Sequence, residues 1–125
     1  MKIAVLIARI LLGLIFFVFG LMNFFPSQLP PGEAGQLLGL MVKHGWFYFI
    51  GLLYVIGGLL LLIGRYVPIG LVLLGPIIVI ILLYHITFDP KTIGMGVLVA
   101  ALEVFLIWAY RSHFRALFSS KLELP

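Results

Sequence analysis

Residues 76–90, PIIVIILLYHITFDP, form an apolar run that ends in a histidine, a threonine and an aspartate. A segment soluble in hydrocarbon here passes directly into groups capable of chemistry. His85, Thr87 and Asp89 lie where it leaves the hydrocarbon, so a functional site is expected to include them. Extended backwards, the run becomes a span over about residues 67–88, with Gly75 and Pro76 inside it. A membrane helix needs roughly 20 mostly apolar residues, and three further segments meet that length, at about 3–22, 46–63 and 93–110.

The composition agrees. The 125 residues are 64% hydrophobic and only 10% charged, against about a quarter charged in ordinary globular chains. The expected fold class is therefore all-α, a single domain of four transmembrane helices with a short tail over 111–125. Tight connections at Gly64-Arg65-Tyr66 and Asp89-Pro90-Lys91-Thr92 make consecutive helices antiparallel, giving an up-down-up-down bundle. The first span stops at Asn23-Phe24-Phe25-Pro26 and the polar run after it. Between the first two spans, residues 33–44, EAGQLLGLMVKH, read as a short interfacial helix after the Pro30-Pro31-Gly32 turn, or as an early extension of the second span; the first reading is preferred. Met1-Lys2 and the apolar residues after it resemble a signal peptide, but no small-x-small cleavage site follows, so this segment reads as the first span.

The charges set the expected orientation. Lys2, Arg65, Arg111, Arg115 and Lys121 lie on one side, Lys43 and Lys91 on the other. By the positive-inside rule both termini are expected to be cytoplasmic. The net charge of +4 is scattered singly at the ends of apolar runs and is no nucleic-acid footprint. The chain has no cysteine, which removes disulfides, iron–sulfur ligation and thiolate metal sites. Three dispersed histidines give no metal-ligand spacing, so no metal site is expected.

Two charges fall inside spans. Arg9 lies seven residues after Lys2, ~10 Å at 1.5 Å per residue, and Glu103 lies eight before Arg111, ~12 Å. Equal depth predicts an ion pair between the first and fourth spans, a structural lock in preference to a proton relay or head-group anchor. Arg9 shares a helical stripe with Gly13, Phe16, Gly20 and Asn23, and Glu103 shares one with Gly96, Ala100, Ile107 and Tyr110. Gly13 and Gly20, like Gly51 and Gly58, are seven apart and share a face, and Gly57 and Gly64 thicken that seam. Small residues there let helix backbones approach closely, within the chain or in a homo-oligomer.

At the other interface, Asn23, His44, His85 and Asp89 all lie within a turn or two of the same depth. An imidazole, which can donate or accept a proton, with a carboxylate four residues on, suits hydrogen bonding or proton transfer to a ligand head group such as a quinone carbonyl. The plainer alternatives are that His85 bonds a backbone carbonyl and that Asp89 caps the fourth helix ahead of Pro90. The aromatics Phe16, Phe17, Phe19, Phe24 and Phe25 read as a lipid-facing belt and packing. A channel would need a continuous polar stripe, and the centre is apolar.

ARILLGLIFFVFGLMNFF, GGLLLLIGRYVPIGLVLLGP, ILLYHITFDP and WAYRSHFRALF occur in that order over nearly the whole chain. In these stretches the sequence resembles the DoxX family of small four-helix bacterial membrane proteins. The resemblance implies a four-helix membrane fold and a link to redox metabolism. Some relatives serve in a thiosulfate–quinone oxidoreductase and others partner oxidative-stress proteins. The positions it carries over are Arg9, Asn23, Gly57, Gly58, Arg65, Pro68, Pro76, His85 and Pro90. The chain departs from the family pattern at Tyr54, where an acidic residue is frequent, at Ile80, where an asparagine is frequent, and at Asn23, where a lysine is frequent. The expectation is a membrane subunit or a quinone- or lipid-binding partner of a redox protein, not an enzyme on its own. No covalent cofactor is expected, and quinone is the candidate ligand. The alternatives are a quinone-dependent oxidoreductase subunit with His85 in proton transfer, and, less favoured, a small carrier or channel.

Overall fold

The computed structural model of the chain describes residues 1–25 and 29–118. Pro26 and Lys121, which entered the expected first stop and the charge count, lie outside those residues. Five α-helices are described: α1 (Lys2–Met22), α2 (Gly32–Lys43), α3 (Trp46–Ile63), α4 (Val67–Phe88) and α5 (Ile93–Ala109). Short 3-10 turns occupy Pro90–Thr92, Arg111–His113 and Arg115–Phe118. Four of the helices are long and apolar enough to cross a membrane, α5 together with its preceding turn being the fourth. They mark the chain as a multi-pass membrane protein.

The ends of the helices follow from local chemistry. Gly64 closes α3 in the left-handed region, at φ 81°, and Tyr66 repeats that conformation at φ 58°. Two left-handed residues around Arg65 reverse the chain within one turn, and Pro68 in the first turn of α4 needs no hydrogen-bond acceptor. Pro76 lies inside α4, where it deletes one N–H from the ladder.

Packing runs in a ring: α1 lies against α3 and α5, and α4 lies against α3 and α5, with α2 resting on α3. The core joins Leu12 and Phe16 of α1, Leu61 of α3, Leu71, Leu74 and Ile78 of α4, and Val99 and Leu106 of α5. Phe114 closes it beyond α5. Outward, Ile7, Leu14, Phe49, Ile69, Val79, Ile80, Val97 and Val104 are exposed along the helices. An apolar exterior of this extent is stable in lipid and not in water.

The α1–α3 seam is the tightest part. A Cβ added at Gly58 would stand 2.6 Å from both the Gly13 carbonyl oxygen and the Phe17 nitrogen. At Gly20 it would stand 2.8 Å from the Gly51 carbonyl, and at Gly51, 2.9 Å from the Gly20 carbonyl. These glycines bring backbone against backbone over two successive turns. Gly57 faces α4 instead, where its Cβ would meet Leu74 at 2.8 Å.

Candidate functional site

Where α1 ends and α3 begins, the tight seam gives way to space. Asn23 donates from Nδ2 to the Phe47 carbonyl at 3.3 Å, bridging the end of α1 to the start of α3. Beside it lies a cavity of about 260 Å³, lined by Asn23, by Leu37, Leu38 and Met41 of α2, by Phe47, Ile50 and Tyr54 of α3, and by Ile77, Ile80, Ile81, Tyr84 and His85 of α4. A second cavity of about 190 Å³ shares Tyr54, Ile81 and His85 and continues to Phe16, Phe19, Met95 and Val99. Tyr54 and His85 therefore stand between the two. Phe16 holds the Tyr54 ring edge-on at 5.1 Å, and Tyr84 does the same for His85 at 5.3 Å.

The His85 ring is also fixed from behind. Its Nδ1 lies 2.9 Å from Thr92 Oγ1. The same hydroxyl lies 2.8 Å from Asp89 Oδ2 and 3.3 Å from the Asp89 carbonyl oxygen. A threonine hydroxyl has one proton to give. With Asp89 ionised that proton goes to Asp89, so Thr92 Oγ1 accepts from His85 Nδ1–H. The neutral ring then keeps Nε2 as a bare acceptor. A ligand hydroxyl is a fitting donor to it, and a protonated ring offers that nitrogen as a donor instead.

Several sequence expectations are corrected here. Asp89 caps neither the turn after it nor α5: its side chain bonds no backbone N–H at either start, because the Thr92 hydroxyl takes its carboxylate. His85 bonds a side chain and not a backbone carbonyl. His44 lies apart from His85, against Leu37, Leu40, Met41 and Trp46 on the outside of α2. Asn23 and His85 are brought together as expected residues of one cavity, and Asp89 reaches it only through Thr92.

The Arg9–Glu103 ion pair is not formed. Arg9 donates from Nη1 to the Leu61 carbonyl at 2.9 Å, at the end of α3. Both carboxyl oxygens of Glu103 are buried without a hydrogen-bond partner, and the side chain reaches Gly75 of α4, where an added Cβ would stand 3.4 Å from Oε2. The reason lies in the stripe that Arg9 shares with Gly13 and Gly20. That stripe is the α3 face of α1, so Arg9 turns to the end of α3 and lies level with Ala109, six residues and ~9 Å along α5 from Glu103.

Sequence reasoning missed two residues of the site. Thr92 sits three after Asp89 in a turn begun by proline, a spacing at which a short polar side chain meets the preceding carboxylate. Tyr54 lies three residues after Gly51 and four before Gly58, so it shares the interior face of α3. Both signals are in the sequence.

The Bacillus subtilis protein YwoB, itself uncharacterized, is 30% identical to this chain over 121 residues, which cover 88% of the chain and 79% of YwoB. The chain belongs to the YwoB family. No protein-family model and no solved structure matches it. Membership of the YwoB family brings no activity with it, so any functional reading rests on the geometry.

Proposed function

We propose that the chain is a DoxX-like membrane subunit, or partner of a redox protein, that holds the head group of a quinone or lipid between Asn23 and His85. On this reading the four long helices form an up-down-up-down bundle in a bacterial inner membrane. α2 lies at the interface, and both termini are cytoplasmic. Support for the arrangement comes from neighbouring helices that meet in opposite register, Gly13 against Gly58 and Gly20 against Gly51. Among the described residues, Lys2, Arg65, Arg111 and Arg115 on one side against Lys43 and Lys91 on the other support the orientation.

One observation carries the ligand reading: Asn23, Tyr54, Tyr84 and His85 line a cavity otherwise walled by apolar side chains. Ligand sites pair such walls with a few placed polar groups. At about 260 Å³ the space is just below the usual range of roughly 300–1,000 Å³. It suits a ring-sized head group whose tail leaves into lipid.

The Asp89–Thr92–His85 chain favours a second reading, proton transfer between His85 and a quinol hydroxyl, with a partner redox protein taking the electrons. The test is binding of a short-tailed quinone to the purified protein in nanodiscs, compared with His85→Ala and Thr92→Val. Saturable binding is expected, weakened about tenfold by His85→Ala through loss of one hydrogen bond to a buried group. Absence of saturable binding in the folded native protein overturns the quinone reading.

A further inference from the structure

The opposite end of the helices holds a space of different character. A cleft of about 540 Å³ opens between the start of α1, the end of α3 and the segment after α5. Lys2, Arg9, Gly64, Tyr110 and His113 line it. We propose that this cleft binds a phosphate-bearing anion, with Arg9 as its anchor.

Arg9 is held ready for that role. Its bond to the Leu61 carbonyl fixes one edge of the guanidinium. That bond is the one hydrogen bond Arg9 makes among the described residues, which leaves further N–H donors for the cleft. Gly64 makes room for the group, since a Cβ there would run into the Arg9 guanidinium. A guanidinium fork matches the spacing of two phosphate oxygens, and it is less strongly hydrated than an ammonium.

Charge balance points the same way. Lys2 joins Arg9, the His113 ring adds a hydrogen-bonding edge, and among the described residues no carboxylate lines the cleft. Glu103 is turned to Gly75, and Asp89 is engaged with Thr92 beside His85. Arg111 is nearby in sequence but committed elsewhere: it donates to the Trp108 carbonyl at 2.8 Å and lies 4.6 Å over the Trp108 ring. The bland reading, in which these cations only orient the chain in the membrane, needs neither a guanidinium seated against the end of α3 nor a glycine making room for it. Leu6 and Ile63 also line the cleft and are largely exposed. They offer an apolar flank to acyl chains, so either a lipid phosphate or a soluble phosphate ester meets the same cations.

The full chain, purified in detergent, is titrated with dioleoyl phosphatidic acid, with phosphatidylcholine and with inorganic phosphate, and bound lipid is counted by native mass spectrometry alongside thermal stability. Retention of phosphatidic acid over phosphatidylcholine is expected, weakened about tenfold in Arg9→Gln by loss of charge-assisted hydrogen bonds. Arg9→Lys, which keeps charge and loses the fork, is expected to fall between. Should Arg9→Gln fail to fold, the double variant Lys2→Gln/His113→Gln reports on the same cleft from its rim. Stabilisation by phosphatidic acid alone assigns the site to lipid; stabilisation by inorganic phosphate as well assigns it to the phosphate group itself. Equal weakening by Arg65→Gln or Arg111→Gln, which lie outside the cleft, overturns the proposal. So does equal retention of phosphatidylcholine and phosphatidic acid.

Discussion

Where α1 meets α3 the backbones touch, and where α4 meets α5 they do not. Along the first contact, any Cβ at Gly13, Gly20, Gly51 or Gly58 would lie within 2.9 Å of a facing carbonyl oxygen. Along the second, a Cβ at Gly96 would meet side chains, Leu82 at 3.2 Å, the His85 ring at 3.6 Å and Ile81 at 3.7 Å, and one at Gly94 would meet nothing within 4 Å. Helices in lipid associate through close van der Waals packing, since no hydrophobic force drives them together. The α1–α3 pair meets that condition over two turns and serves as the rigid half. The α4–α5 side keeps space at His85 and an unpartnered carboxyl at Glu103. The cavity lies where the two halves meet: His85 lines it from the looser half, and Asn23 and Tyr54 from the tighter one.

The sharpest way to break this contrast is Gly58→Ala. Its new methyl would collide with main-chain atoms that cannot rotate away, so the variant is expected to lose about 3 kcal/mol, the upper end of the usual overpacking penalty, read as a lower Tm in detergent. Unchanged stability would mean that the seam is not the rigid half. Next in size is Glu103→Leu. Replacing a buried, unpartnered polar group with an apolar one of similar size is expected to raise stability by about 2 kcal/mol, within the range for an unsatisfied buried group. A structural lock between Arg9 and Glu103 predicts the reverse, so the sign of the Tm shift decides between them. Smaller again is Thr92→Val, which cuts the link from Asp89 to His85. Quinone affinity is expected to fall about fivefold, or ~1 kcal/mol for one hydrogen bond, with the fold intact by circular dichroism. Smallest is Gly94→Ala on the open side, expected to stabilise α5 by about 0.5–1 kcal/mol through helix propensity alone. A loss there would show that the α4–α5 side is closer packed than its geometry implies.

Much of the fold was legible because length and polarity act along the chain. Apolar runs near 20 residues, stopped by Gly64 and by Asp89-Pro90, return as α3, α4 and α5 within a few residues of the expected bounds. What a helical wheel does not supply is which neighbour a stripe faces. Arg9 and Glu103, expected at one depth, meet different neighbours: Arg9 the Leu61 carbonyl at the end of α3, and Glu103 the backbone of Gly75 in α4. Of His44 and Asn23, expected at one interface, only Asn23 reaches the cavity. Asp89 was read through its proline, a reliable start signal, and the hydroxyl of Thr92 across the turn was the stronger partner.

Gly64 also links two positions far apart in sequence. Its backbone, at φ 81°, suits glycine or asparagine, but any side chain there would strike the Arg9 guanidinium. A relative that keeps arginine at position 9 is expected to favour glycine at position 64, because a larger residue would push the guanidinium off the Leu61 carbonyl, while one with a small residue at 9 is free to carry asparagine. The two sites are expected to drift together as the family diverges, leaving a paired substitution as the record of one contact.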